Sequence, residues 1–126
     1  MKSFPTRAIV REVGLRDGLQ SIRTILPTAR KCEWIGRAYE AGQREIEVGS
    51  FVPARLMPQL ADTAELVAYA KRLPGLVVSV LVPNLKGAER AFEAARMQPL
   101  QIQQDIARRA LQERLVKMAR LSAVTP

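Results

Sequence analysis

The stretch Leu76-Val77-Val78-Ser79-Val80-Leu81-Val82 lies between Pro74-Gly75 and Pro83-Asn84 and is almost wholly apolar. Pro and Gly punctuate it at both ends, and its β-branched content suits a strand. A segment apolar at nearly every step, rather than at every second one, suits a parallel strand buried on both faces. Parallel neighbours cannot be joined by a tight hairpin. They need crossovers, commonly helices, so the rest of the chain should alternate strands with helices around this one.

It does so at short, even spacing. Residues 7–13 read as a first strand with Ile9, Val10 and Val13 as its apolar part, and residues 44–48 as a second. Between them, Leu26-Pro27-Thr28 opens a helix that Thr28 caps and that runs to about Ala41, where Gly42 ends it. Trp34, Ile35, Ala38 and Ala41 space as its buried face. Pro58 leads into a second helix over residues 60–72, with Leu60, Ala64, Leu66, Val67 and Ala70 apolar. A third covers about residues 86–96 after Pro83-Asn84. The order β-α-β-α-β-α predicts an α/β fold with parallel strands and right-handed crossovers. Alternation alone does not separate a barrel from a doubly wound sheet.

Bulk properties bound the function classes. The 126 residues suffice for one small domain with a core, and 48% apolar against 25% charged content is that of a globular chain. Cys32, the single cysteine, has no internal disulfide partner, which fits a reducing compartment. Met1 to Val10 holds no apolar core of a secretory signal, and no apolar stretch reaches the length of a membrane span. A cytoplasmic protein without a membrane span is the expectation. The net charge of +8 could attract nucleic acid, anionic membrane or a phosphorylated ligand such as coenzyme A. Two Tyr, three Phe and one Trp leave few platforms for stacking bases, which disfavours nucleic acid.

Chemistry is most concentrated in Gly14-Leu15-Arg16-Asp17-Gly18-Leu19-Gln20, a charged loop between glycines directly after the first strand. A carboxylate beside a guanidinium suits a site that holds a cation with one group and an oxyanion with the other, and it equally suits a solvated turn. Lys31 follows ten residues after Gln20. This pattern resembles the first signature of the metal-dependent carbon–carbon lyases and synthases that share a TIM barrel. Two further segments resemble hydroxymethylglutaryl-CoA lyase in particular. They are Ile46-Glu47-Val48-Gly49-Ser50-Phe51-Val52, continuing to Pro58-Gln59-Leu60-Ala61-Asp62, and Val82-Pro83-Asn84-Leu85-Lys86-Gly87.

The resemblance covers roughly residues 7 to 95. It implies a partial TIM barrel of three βα units over residues 1–96, with the loops after each strand opening on one face. It implies an acyl-CoA substrate, 3-hydroxy-3-methylglutaryl-CoA, cleaved to acetyl-CoA and acetoacetate as in leucine breakdown. A divalent cation, magnesium or manganese, is implied as well. By motif, Asp17 would be a metal ligand and Arg16 the catalytic stabiliser of the enolate and a substrate contact. Glu47 would be a carboxylate near the metal that orders the site or helps proton transfer. Gln20 and Asn84 would touch substrate. Asp is a hard oxygen donor, and Arg stays charged with a fork that reaches two oxygens. Each residue also has a plain reading. Asp17 shapes the turn, Arg16 pairs with it, Glu47 faces solvent from an edge strand, and Asn84 caps the helix that follows it.

Some parts that the resemblance calls for are missing. The family's site uses a His-x-His pair, an Asn ligand beyond it and a Cys-bearing loop, whereas this chain has no histidine. Cys32 falls in the first helix and reads as a core residue. From Met97 the pattern leaves the family. A Gln-rich join precedes Ile102, Ile106, Ala110, Leu111, Leu115 and Met118 at helical spacing, interleaved with Arg108, Arg109, Arg114, Lys117 and Arg120. Residues 97–126 thus read as a basic amphipathic helical tail. It is expected to cover the sheet edge, with self-association through tail or edge, or a membrane or nucleic-acid role, as the alternatives. Three functional readings stand: a lyase-like chain inactive in this form, a non-catalytic interaction module, and part of a sister synthase that condenses acetyl-CoA with a 2-oxo acid.

Overall fold

The structure is a computed structural model of the chain, and it describes residues 3–96, 108 and 111–118. A π-helical turn at Gly14–Gly18 comes first, then helix α1 at Thr28–Glu40 and strand β1 at Glu45–Ser50. A 3₁₀ turn at Pro58–Leu60 leads to α2 at Thr63–Ala70, followed by β2 at Val77–Leu81 and α3 at Leu85–Arg96. β1 and β2 pair in parallel, with α2 packed on β1 and between α1 and α3. Crossover through a helix is what lets two parallel strands sit side by side.

The expected first strand over residues 7–13 shrinks to one parallel bridge, Glu12 to Ile46. Glu12 donates its N–H to the Glu45 carbonyl at 3.0 Å and accepts from the Glu47 N–H at 2.9 Å. Ile9 and Val10 are 81% and 74% exposed, so nothing among the described residues covers this segment. A strand with a partner on one edge and no apolar cover gains too little to hold a ladder.

β2 departs from expectation for a related reason. Burial on both faces was predicted, yet Val77 and Leu81 are exposed while Val78 and Val80 pack against the core. Helices cover the face of Val78 and Val80; on the other, Val77 and Leu81 at the ends of the strand are exposed and Ser79 between them is half-buried. The core gathers Leu15, Ile35, Ile46, Val48, Phe51, Leu66 and Ala70. α2 is apolar almost all round because other elements surround it.

α1 stops where the sequence says it should. Gly42 takes φ of 100°, its N–H reaches the Tyr39 carbonyl and the Gln43 N–H reaches the Ala38 carbonyl, which closes a Schellman motif. Its start differs. Thr28 is the first helical residue, Pro27 occupies the cap position, and the Thr28 hydroxyl donates to Asp62 Oδ2 at 2.8 Å instead. Its buried face also turns, to Lys31, Cys32 and Ile35, leaving Trp34 exposed, with its ring edge close to Gly14. Of the tail, residues 108 and 111–118 are helical and exposed, so the apolar stripe does not lie on the sheet edge there. The remainder of the helical tail expected within residues 97–126, and the Gln-rich join at its start, lie outside the described residues.

Candidate active site

Leu15 and Leu19 are buried, and they plug the turn that carries Arg16 and Asp17 into the core. The Arg16 and Asp17 N–H groups both reach the Val13 carbonyl, at 3.1 and 2.8 Å. With the leucines turned inward, Arg16 reaches Glu47 on β1 and Asp17 is left at the surface. Neither flanking glycine uses a left-handed backbone; only Gly42 and Gly75 do among the described residues. Gly14 is needed for closeness instead, since a Cβ there would come within 2.7 Å of the Trp34 ring.

Arg16 is the hub. Its Nε donates to Glu47 Oε1 and its Nη1 to Asp17 Oδ1 at 3.3 Å. Among the described residues none takes its Nη2. The side chains of Arg16 and Glu47 are 21% and 12% exposed, whereas that of Asp17 is 69% exposed. Glu47 therefore does not face solvent. It is withdrawn and paired, while Asp17 stands at the rim. The structure brings Arg16, Asp17 and Glu47 together across 31 positions of sequence.

The other two predicted residues are placed differently. Asn84 accepts the Gly87 N–H on its Oδ1 at 2.9 Å and is exposed, so the capping reading describes it. Gln20 is half-buried, and its carbonyl accepts from Gln59 Nε2 at 3.2 Å. Gln59 also donates to the Ile22 carbonyl at 3.1 Å.

Gln59 belongs to a staple that explains why Lys31 and the Pro58–Asp62 segment occur together. Lys31 is 1% exposed, and its Nζ donates to Asp62 Oδ1 at 2.7 Å and to the Gln59 carbonyl at 2.6 Å. Thr28 completes Asp62. A buried ammonium whose donors are met by a carboxylate and a carbonyl avoids most of the penalty of an unpaired charge. The staple holds the loop after β1 against the Arg-Asp loop. Beside it, burial, and next the charges of Asp62 and Glu65, push the Cys32 thiol up to about 11, with Lys31 opposing. Cys32 is thus an inert core residue.

A divalent cation would need more donors than this cluster offers. Asp17, Glu47 and Glu12 are the nearby carboxylates; the first two each have an oxygen on Arg16, and Glu12 Oε1 accepts the Gly14 N–H at 2.7 Å. No cluster of three Asp, Glu, Cys or His side chains suited to a metal occurs among the described residues. A cation needing about six oxygens is not held by this set alone. No helix among the described residues is long and apolar enough to cross a membrane.

No family model matches the chain. Relatives do. It is similar to a mitochondrial hydroxymethylglutaryl-CoA lyase of Gallus gallus, with 46% identity over 92 residues, 73% of this chain and 31% of that protein. A cytoplasmic 3-hydroxy-3-methylglutaryl-CoA lyase of Rattus norvegicus is 43% identical over 94 residues, 75% of this chain and 27% of that protein. Among solved structures, an HMG-CoA lyase of Acinetobacter baumannii in complex with coenzyme A and 3-methylmalate superposes with a TM-score of 0.66 at 32% identity. It covers 86% of this chain and 43% of that one. The fold is accordingly a partial TIM barrel. The chain spans about three tenths of the length of the curated relatives it matches.

Proposed function

The chain belongs to the hydroxymethylglutaryl-CoA lyase family, and from that membership we propose that its Arg16–Asp17–Glu47 cluster is part of a lyase-type site for 3-hydroxy-3-methylglutaryl-CoA. The observation that carries this reading is the withdrawn Arg16–Glu47 pair, with Asp17 exposed beside it. Glu47 holds the Nε edge of the guanidinium, and among the described residues Nη2 has no partner, which suits an incoming oxyanion. A fixed cation so placed stabilises an oxyanion that develops on a thioester carbonyl when the neighbouring carbon–carbon bond breaks. Asp17 offers one hard oxygen to a divalent cation. The described residues do not complete such a site. Asn84 positions α3, and the Gln20 carbonyl joins the two loops.

These 126 residues bind but do not turn over. They contain no histidine, and their carboxylates are engaged by Arg16. Coenzyme A in the Acinetobacter complex supports an acyl-CoA ligand, and the net charge of +8 suits its phosphates. The lone buried Cys32 supports a reducing compartment such as the cytoplasm; the two curated relatives are named for cytoplasm and mitochondrion. Trp34, with its ring edge close to Gly14 at the root of the loop, is a ready reporter. Adding 3-hydroxy-3-methylglutaryl-CoA with magnesium should change its fluorescence, and Arg16→Lys should weaken that response about tenfold or more. No acetoacetate should appear above blank. Turnover would refute the inactivity, and an absence of binding would refute the site.

A second reading is association through the tail. Leu111, Leu115 and Val116 are 59%, 56% and 52% exposed there, and Val77 and Leu81 are exposed on the edge strand. A monodisperse monomer in sedimentation at micromolar concentration would exclude it.

A further inference from the structure

α3 buries one side only. Gly87 and Ala94 face the core. At about 100° per residue, Leu85, Ala88, Glu89, Phe92, Glu93 and Arg96 fall on the opposite side, and they line one shallow groove of about 520 Å³. Leu85 and Phe92 are 75% and 73% exposed and lie two turns apart along the helix. Glu89 and Glu93 make an acidic row on one flank of that pair, and the small Ala88 lies on the other flank.

An apolar pair with acids along one flank suits a basic amphipathic helix. The chain carries one. Leu111, Leu115 and Met118 are exposed and recur at helical spacing, with Arg114 and Lys117 on one side of the stripe. Leu111 and Met118 have the same two-turn separation as Leu85 and Phe92. Laid parallel to α3, Leu111 meets Leu85, Met118 meets Phe92 and Leu115 covers Ala88. Arg114 then falls beside Glu89, and the long Lys117 side chain reaches toward Glu93. Laid antiparallel, the same basic flank lies away from the acids.

Within one chain the tail sits elsewhere. Glu113, on the side of the tail opposite the stripe, lines a cleft with Pro27, Thr28, Pro58 and Asp62 at the head of α1. α2 lies between α1 and α3, so the tail stands away from the groove with its stripe turned outward. We propose that the α3 groove is the docking site for the tail helix of a second copy of this chain. Two-fold symmetry lets the second copy return the contact, which doubles the buried area. This rests on the tail-association reading and names the surface that receives the tail.

Sedimentation of the full chain at micromolar concentration, with thermal melting alongside, tests it. The wild type should run as a dimer. Phe92→Glu and Leu115→Glu should each raise the dimer Kd about tenfold or more. Their melting curves at low concentration should match wild type, since both side chains are exposed. Glu89→Arg should also weaken the dimer, and adding Arg114→Glu should restore most of the loss, as a direct pairing requires. A wild-type dimer that Leu115→Glu breaks, while Phe92→Glu and Glu89→Arg leave it intact, would keep tail association and overturn α3 as its partner. A wild-type monomer would overturn both.

Discussion

Cys32 shows how one environment settles a residue's chemistry. Its thiol is buried near two carboxylates, and its ionisation is pushed up from 9.0 to about 11. At pH 8 roughly one molecule in a thousand then carries the thiolate, so iodoacetamide should label the folded chain very slowly and the urea-unfolded chain readily. The linkage sign follows from a folded value above the unfolded one. Below pH 9 the thiol is protonated in both states and Cys32 costs nothing; between about 9 and 11 the unfolded chain ionises first and stability is lost. Cys32→Ala should lose less melting temperature than wild type across that window. Sequence reading placed Cys32 in the first helix as a core residue, which the structure repeats. It had no access to the neighbours that silence the thiol, because Asp62 and Glu65 arrive from another element.

At the scale of elements, start and stop signals were only partly legible. Gly42 ends α1 because its backbone conformation suits glycine alone. Thr28 has the right chemistry for a cap, but Asp62 competes for its hydroxyl and Pro27 takes the position. Asn84 does cap, since its Oδ1 accepts the Gly87 N–H at the head of α3, and the substrate contact implied by the motif stays a proposal beside that role. Asn84→Ala should destabilise the chain by about 1 kcal/mol, and Asn84→Ser or Asn84→Asp should restore most of that in a denaturant melt. Weakened binding of 3-hydroxy-3-methylglutaryl-CoA by Asn84→Asp without any loss of stability would support that contact.

For the whole molecule, the contacts that matter join elements distant in sequence. Lys31 on α1, Asp62 before α2 and Gln59 between them hold two loops in one arrangement. Lys31→Met would leave Asp62 buried with its strongest partner gone, at a cost of about 3–5 kcal/mol, a large share of the stability of a domain this size. Adding Asp62→Leu should recover much of it. Urea midpoints of the single and double variants measure the difference, and a single variant as stable as wild type would show the pair to be dispensable. The uncovered faces belong to this scale too. Residues 7–13 and β2 have the composition of buried strands and stand half bare, because composition records what a segment can bury and the rest of the molecule decides whether anything covers it.

The sequence by itself determined the alternation of strands and helices, the parallel pairing, the end of α1 and the family. All of these are written in local spacing and in short motifs. It also marked Arg16, Asp17 and Glu47. Only the tertiary structure decided that Glu47 is paired and withdrawn, that Asn84 caps and that Lys31 is buried. The outcomes at Glu47 and Lys31 depend on partners some thirty residues away. Such contacts come from packing, which no local pattern encodes.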